Sequence, residues 1–239
     1  MPIDMMIRKL RSHSKLDEND VAALRSVISI VRDVAAEALV VQEGSVSTHC
    51  CVMLSGFSYR AKVSDTGRRQ ILSFHIAGDM PDLHGLFLRR MDHDLVTLSQ
   101  ARIGFIEHQA LKRVLDVRPA IMEALWRETL LDAVLFREWI VSLGTRPAAS
   151  RMAYLVAELR QRLAAIGLLV EDQFRFPITQ SRLAEALGLS TVHVNRVLQS
   201  FRARGILDIH DFVITLGDIE KIVEIGGFND LYLQASETY

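Results

Sequence analysis

Residues 179–204 read TQSRLAEALGLSTVHVNRVLQSFRAR. Thr179 stands where an N-cap belongs, ahead of a short helix whose inward face would be Leu183, Ala184 and Leu187. Gly188 follows as a turn residue that tolerates positive φ. Ser190 caps a second helix with Val194, Val197, Leu198 and Phe201 turned inward. Ala184 is small enough to let the two helices cross closely. The spacing predicts a helix-turn-helix whose second helix reads the major groove of duplex DNA. Thr179, Gln180, Ser190, Thr191, Val192, His193, Asn195, Arg196 and Gln199 form the expected DNA-contacting set. An ordinary helical hairpin with a polar outer face is the plainer reading, but two caps and a surrounding positive charge argue against it. After Arg204, the run from Gly205 to Ile214 reads as two short strands about a turn, the wing of a winged helix.

Charge supports that placement. The 239-residue chain has a formal net charge of −1. From Gly144 to Arg204, however, nine arginines face four acids (Glu158, Glu171, Asp172 and Glu185), a net of +5. From Gly205 onward seven acids face one lysine, a net of −6. The polyanion-facing surface is therefore expected in the earlier of the two segments. The chain begins without an apolar signal-peptide core, and no apolar run reaches the roughly 18 residues of a membrane span. Its two cysteines, Cys50 and Cys51, are adjacent and would point to opposite faces of a strand, which disfavours a bridge and suits a reducing compartment. The expected location is the cytoplasm, with no membrane partner.

Upstream of Pro147, two textures alternate. Asp17 is placed to cap a helix over Leu16–Val27. From about Val31 to Glu107, β-rich runs are cut by turns such as Ser55-Gly56 and Asp65-Thr66-Gly67, as in a sandwich, roll or barrel. Within them Phe57, Tyr59, Ala61 and Val63 alternate with Ser58, Arg60 and Lys62, so the first set is expected inside and the second outside. After Pro119 comes a long helix in which Met122, Trp126, Thr129, Ala133, Phe136, Ile140 and Leu143 fall at heptad spacing. That seam predicts a homodimer, while Leu125, Leu131, Val134 and Leu135 form a neighbouring stripe for the helix's own domain. The sequence from Leu143 to Pro147 breaks the helix, and Pro147 fits the first turn of the next.

The order of parts resembles the Crp/Fnr family of bacterial regulators over nearly the whole chain. The local resemblance lies in Gly67–Phe74 followed by Gly78-Asp79, in Leu187-Gly188-Leu189-Ser190, and in Val194-Asn195-Arg196. It implies an α+β fold: a cyclic-nucleotide-binding-like β roll over 1–118, a dimerisation helix over 119–143, and a winged helix-turn-helix over 144–239. It also implies a sequence-specific transcription regulator, not an enzyme, that binds two DNA half-sites as a homodimer and can meet RNA polymerase. By resemblance Arg196 is placed to contact guanine and Ser190 to contact phosphate.

The departures are equally specific. Members that bind cyclic AMP carry Gly-Glu-Leu after the Gly-Asp turn and an Arg-Ser pair beyond it. Here the stretches are Asp82-Leu83-His84 and Met91-Asp92-His93-Asp94, so a response to cyclic AMP is not expected. Cys50 and Cys51 cannot supply four ligands to an iron–sulfur cluster. Asp82, Leu83, His84 and His93 are the expected effector pocket, with no cofactor and no metal. The alternatives are a haem- or metal-dependent sensor using His84, the position resembling a haem-ligating histidine of the family, and a cupin-type metalloenzyme. The latter lacks the His-x-His spacing and leaves the helix-turn-helix unexplained. Where family members commonly have a glutamate for cytosine, this chain has Val192, so its operator is expected to differ.

Overall fold

The computed structural model describes residues 3–88 and 90–229. They fall into two compact units, one of residues 3–62, 73–88 and 90–133 and the other of 63–72 and 134–229. The chain opens with α1 (Asp4–Arg11) and α2 (Glu18–Ser26). Asp17 caps α2 in a reciprocal capping box with Asp20. Strands β1 (Ile28–Val34), β2 (Leu39–Val41), β3 (His49–Ser55), β4 (Ser58–Val63) and β5 (Arg69–His75) follow. A 3-10 turn (Leu83–Leu86), β6 (Asp94–Thr97), β7 (Ala101–Glu107) and α3 (His108–Val117) complete the roll. Its sheets have the orders β1-β7-β3 and β2-β6-β4-β5. Gly104 in the central β7 pairs with Val31 on one side and Val52 on the other.

Strand β3 is buried on both faces. Cys50, Val52 and Leu54 join the core formed with α1, α2 and α3, while Cys51 and Met53 join a second core with Leu95 and Ile103. The two cysteines thus point to opposite sides and are free thiols.

The expected alternation in β4 is not what the structure shows. Ser58 and Arg60 are buried, and Val63 is exposed. Arg60, only 3% exposed, is held inside by an ion pair to Asp132 at 2.6 Å and by donation from Nε to the Pro81 carbonyl at 2.7 Å. A buried guanidinium needs such partners, and the nearest carboxylate is far off in sequence.

Helix α4 (Pro119–Thr145) runs two residues beyond the expected stop at Leu143. Residues 119–133 belong to the first unit and 134–145 to the second. Pro147 then serves as the N-cap of α5 (Ala148–Ala165), outside the first turn. Strand β8 (Gln173–Arg175), α6 (Gln180–Leu187), α7 (Thr191–Ala203), β9 (Leu207–His210), β10 (Val213–Leu216) and α8 (Ile219–Gly226) follow. The sheet order β8-β10-β9 adds a third strand that the sequence pattern does not announce, because β8 is only three residues long. The β9–β10 wing turns at Asp211 and Phe212, both at positive φ (47° and 64°), the backbone of a two-residue hairpin. Helix α8 docks directly on the backbone of α5: a Cβ at Gly226 would sit 2.8 Å from the Tyr154 nitrogen, so only glycine fits. Trp139 is buried, and its indole N–H donates to the buried Glu158 at 2.7 Å, fixing α4 to α5.

Candidate functional site

The two helices of the turn motif form as the local chemistry requires. Thr179 accepts from the Arg182 N–H and Ser190 from the His193 N–H, so each helix begins with a satisfied donor. Gly188 terminates α6 in the left-handed region at φ 62°. Leu183, Ala184, Leu187, Val194, Val197 and Phe201 are buried, and Leu198 is only half-buried because it lies at the margin of the inward face. All nine expected contact residues, Thr179, Gln180, Ser190, Thr191, Val192, His193, Asn195, Arg196 and Gln199, are exposed on one surface. Asn195 Nδ2 donates to Gln180 Oε1 at 3.3 Å, tying the second helix to the start of the first. Among the described residues Arg196 has no ion pair, whereas Arg182 pairs with Glu185 and Arg202 with Asp208.

Along α4 the seam side chains are exposed or half-buried. Trp126 is 63% exposed and Ile140 70%, Met122 is exposed, and Thr129, Ala133, Phe136 and Leu143 are half-buried. Leu125 is buried in the roll's core together with Ile121 and Ala124. Leu131, Val134 and Leu135 are half-buried. Among the described residues no helix is long and apolar enough to cross a membrane.

The four expected pocket residues divide. Leu83 is packed in the helix-side core. Asp82 Oδ1 accepts from the Cys51 N–H at 2.6 Å, Oδ2 is buried without a partner, and burial raises this carboxyl to about 6. It lies at the edge of a cavity of about 390 Å³ lined by Arg32, Val41, Thr48, His49 and Cys51 among others. His84 and His93 do come together, with ring centroids 5.2 Å apart. Burial, reinforced by Arg60, lowers both, His93 to about 4.

A second group was invisible in the sequence pattern. Lys9 bridges Asp79 at 2.9 Å and also pairs with Glu128, which lies 2.5 Å from His13 Nε2. Burial alone would raise the Asp132 carboxyl, but Arg60 and His75 outweigh it and hold the group below the usual carboxylate range. Glu128 is likewise lowered, with Lys9 and His13 overcoming its burial. No local signal marks these pairs, since each joins residues far apart in the chain.

A β roll, a long helix and a winged helix-turn-helix define a DNA-binding regulator with a sensor-type domain, and comparison with known proteins agrees. The family model described as Crp-like helix-turn-helix domain matches residues 150–225, and that described as Cyclic nucleotide-binding domain matches 31–118. The chain is 23% identical over 219 residues to an anaerobic regulatory protein of Aggregatibacter actinomycetemcomitans, covering 92% of this chain and 85% of the relative. It is 25% identical over 200 residues to a probable transcriptional activator of Rhizobium leguminosarum bv. viciae, covering 82% of each. The solved structure of FixK2 from Bradyrhizobium japonicum shares the fold, with a TM-score of 0.75 at 19% identity over 84% of this chain and 98% of that one. The chain belongs to the Crp/Fnr family of transcription regulators.

The roll's buried polar groups give the protein a pH dependence. Burial and then Arg60 hold His75 at about 4, against an ordinary value of 6.5; Asp79 and Asp132 oppose the shift, and Ser73 Oγ lies 3.0 Å from its Nε2. Between those values the unfolded chain takes a proton that the folded chain refuses. The contribution is intact above pH 6.5 and is lost as pH falls toward 4. Asp82, raised to about 6, acts in the opposite sense but is common to wild type and variant. Between about pH 7 and about pH 5, His75→Gln should lose about 1–2 kcal/mol less stability than wild type. Denaturant unfolding at both pH values checks this, and equal losses would contradict it.

Proposed function

We propose that this regulator reads DNA as a homodimer paired through the α4 seam, with one α7 entering each of two half-sites about one helical turn, ~34 Å, apart. The observation that carries this is the uncovered apolar stripe on α4, where Trp126 and Ile140 stand mostly in solvent. Solvent-facing aromatic and branched side chains at heptad spacing are satisfied by a second copy of the same helix. The regulator works in the cytoplasm without catalysis of its own, meeting RNA polymerase as its protein partner. The division into a sensor part over 1–118, a dimerisation helix over 119–143 and a DNA-reading part over 144–239 follows the same logic.

In this reading Arg196 bonds guanine O6 and N7 together, while Gln180, Ser190 and Thr191 hold phosphates. The first turn of α7 adds backbone N–H groups suited to a phosphate. His193, Asn195 and Gln199 extend the polar surface, and Val192 offers only apolar contact, for instance to a thymine methyl. The roll acts as a sensor through the region of Asp82, Leu83, His84 and His93. Its effector is not cyclic AMP: the Gly-Glu-Leu and Arg-Ser signatures are replaced by Asp82-Leu83-His84 and Met91-Asp92-His93-Asp94, and the buried Arg60 is already bound to Asp132.

Two experiments test this reading. Phe136→Asp places a charge in the middle of the seam. It should give monomers by light scattering and weak operator binding, and a variant that stays dimeric would contradict the interface. Arg196→Ala should cost roughly 1–3 kcal/mol per half-site and relax preference at one base pair, while Thr191→Ala weakens all sequences about equally. Parallel operator selections with wild type and Arg196→Ala separate the cases. Equal enrichment of the same sequence would make Arg196 a phosphate clamp.

A further inference from the structure

We propose that His84, Asp92 and His93 form a binding site for one divalent transition-metal ion of the zinc class. Three observations point there. Among the described residues these are the one group of three such side chains whose ligand atoms lie within 4.8 Å of one another. The Nε2 atoms of both histidines are buried and make no hydrogen bond of good geometry, that of His84 lying 3.3 Å from Asp92 Oδ1. Buried polar atoms left in that condition are rare in folded proteins, and two in adjacent rings call for a shared acceptor of their lone pairs. The third observation is the placement of the carboxylate. Asp92 Oδ1 lies 2.8 Å from His93 Nδ1 and 3.3 Å from His84 Nε2.

Those distances fit ligation. Metal–nitrogen and metal–oxygen bonds of ~2.0–2.1 Å around a tetrahedral centre put neighbouring ligand atoms ~3.3 Å apart, the His84–Asp92 spacing. Asp92 Oδ1 accepts from His93 Nδ1, so joint ligation by Asp92 Oδ1 and His93 Nε2 replaces that hydrogen bond. Ligation draws His93 inward by rotation about its side-chain bonds. Two imidazoles with one carboxylate suit zinc, iron, nickel or copper ions and disfavour magnesium and calcium. The nearby Arg60 charge is offset by Asp132, so the ion meets a carboxylate and two neutral rings.

Access is built in. The His93 side chain is 3% exposed and that of His84 25%, but Asp92 is 66% exposed, so the ion enters from the Asp92 side. Three protein ligands leave at least one position for water or a donor atom of a small molecule. The ion links the 3-10 turn at Leu83–Leu86 to the segment that leads into β6. This departs from the expectation of an effector pocket without a metal. It deepens the sensor role proposed for the roll and rests on that reading for its purpose. Metal binding is measured without DNA, so a protein that binds its operator but no metal overturns this inference alone.

The test uses the full chain, stripped of metal by a chelator and titrated with Co²⁺ under visible spectroscopy, then with Zn²⁺ by calorimetry. Binding should saturate at about one ion per chain, with the ligand-field band of a low-coordinate cobalt site that Zn²⁺ erases and excess Mg²⁺ does not. His84→Gln should abolish the band. Asp92→Asn should weaken binding about 10–100-fold. His108→Gln, outside the cluster, should leave it intact. His93 is buried, so the partly exposed His84 and Asp92 variants decide the matter if His93→Gln fails to fold. Absence of saturable binding in the wild type, or binding undiminished in both His84→Gln and Asp92→Asn, overturns the site.

Discussion

The ion pair between Arg60 in β4 and Asp132 in α4 is the interaction on which the rest of the first unit depends. A guanidinium in a roll interior persists only when its charge and its N–H groups are answered, and here Asp132 and the Pro81 carbonyl answer them. Glu128 lies one helical turn before Asp132 and meets Lys9 and His13. Two acids at i and i+4 therefore present one face of α4 to the roll. Once that face is fixed, the rotation of the helix about its axis is fixed as well. Thr129 and Ala133, each one residue on from an acid, then lie about 100° around the helix from that face. Apolar burial alone would tolerate a rotated helix, whereas paired charges do not, because a slip would leave four ionised groups unmatched inside.

What could be read in the sequence, and what could not, follows from the range of each interaction. The helix-turn-helix was legible almost to the residue because caps, turn glycine and inward spacing act within a few positions. Thr179, Gly188 and Ser190 do what their side chains and backbone preferences dictate, and the outward residues are simply what remains. The long helix α4 was legible for the same reason, since helical periodicity is local. Arg60 was misplaced because alternation in β4 speaks only of the strand, and its partner lies 72 positions away. Lys9, His13 and Glu128 escaped for that reason, as did the Trp139–Glu158 bond. His84 and His93, two of the four expected pocket residues, lie side by side, but Leu83 is core, and the share of Asp92 in the group had no local signal.

The division of labour within the chain has a physical logic. The second unit needs a rigid platform for α7, and it gets one from α8 pressed against α5 at Gly226 and from the buried Trp139–Glu158 bond. On α7 Arg196 is exposed and, among the described residues, makes no ion pair. The roll does the opposite and concentrates its polar groups inside. Buried titratable side chains such as His75, Asp82 and His93 make that interior responsive to whatever ion, proton or ligand reaches it. A regulator built this way separates a responsive interior from a fixed reading surface and runs one helix, α4, through both units.

The most direct test of this account is a double-mutant cycle on Arg60 and Asp132, using Arg60→Met and Asp132→Leu singly and together, with unfolding of the full chain followed by denaturant. If the pair fixes α4 against the roll, Asp132→Leu strands the buried Arg60 charge, Arg60→Met leaves the partly exposed Asp132 unpaired, and the double variant recovers much of the loss. The expected coupling is about 1–3 kcal/mol, above the level of a surface pair. A coupling below about 0.5 kcal/mol, with additive losses, would show that apolar packing alone positions the helix and would contradict the account.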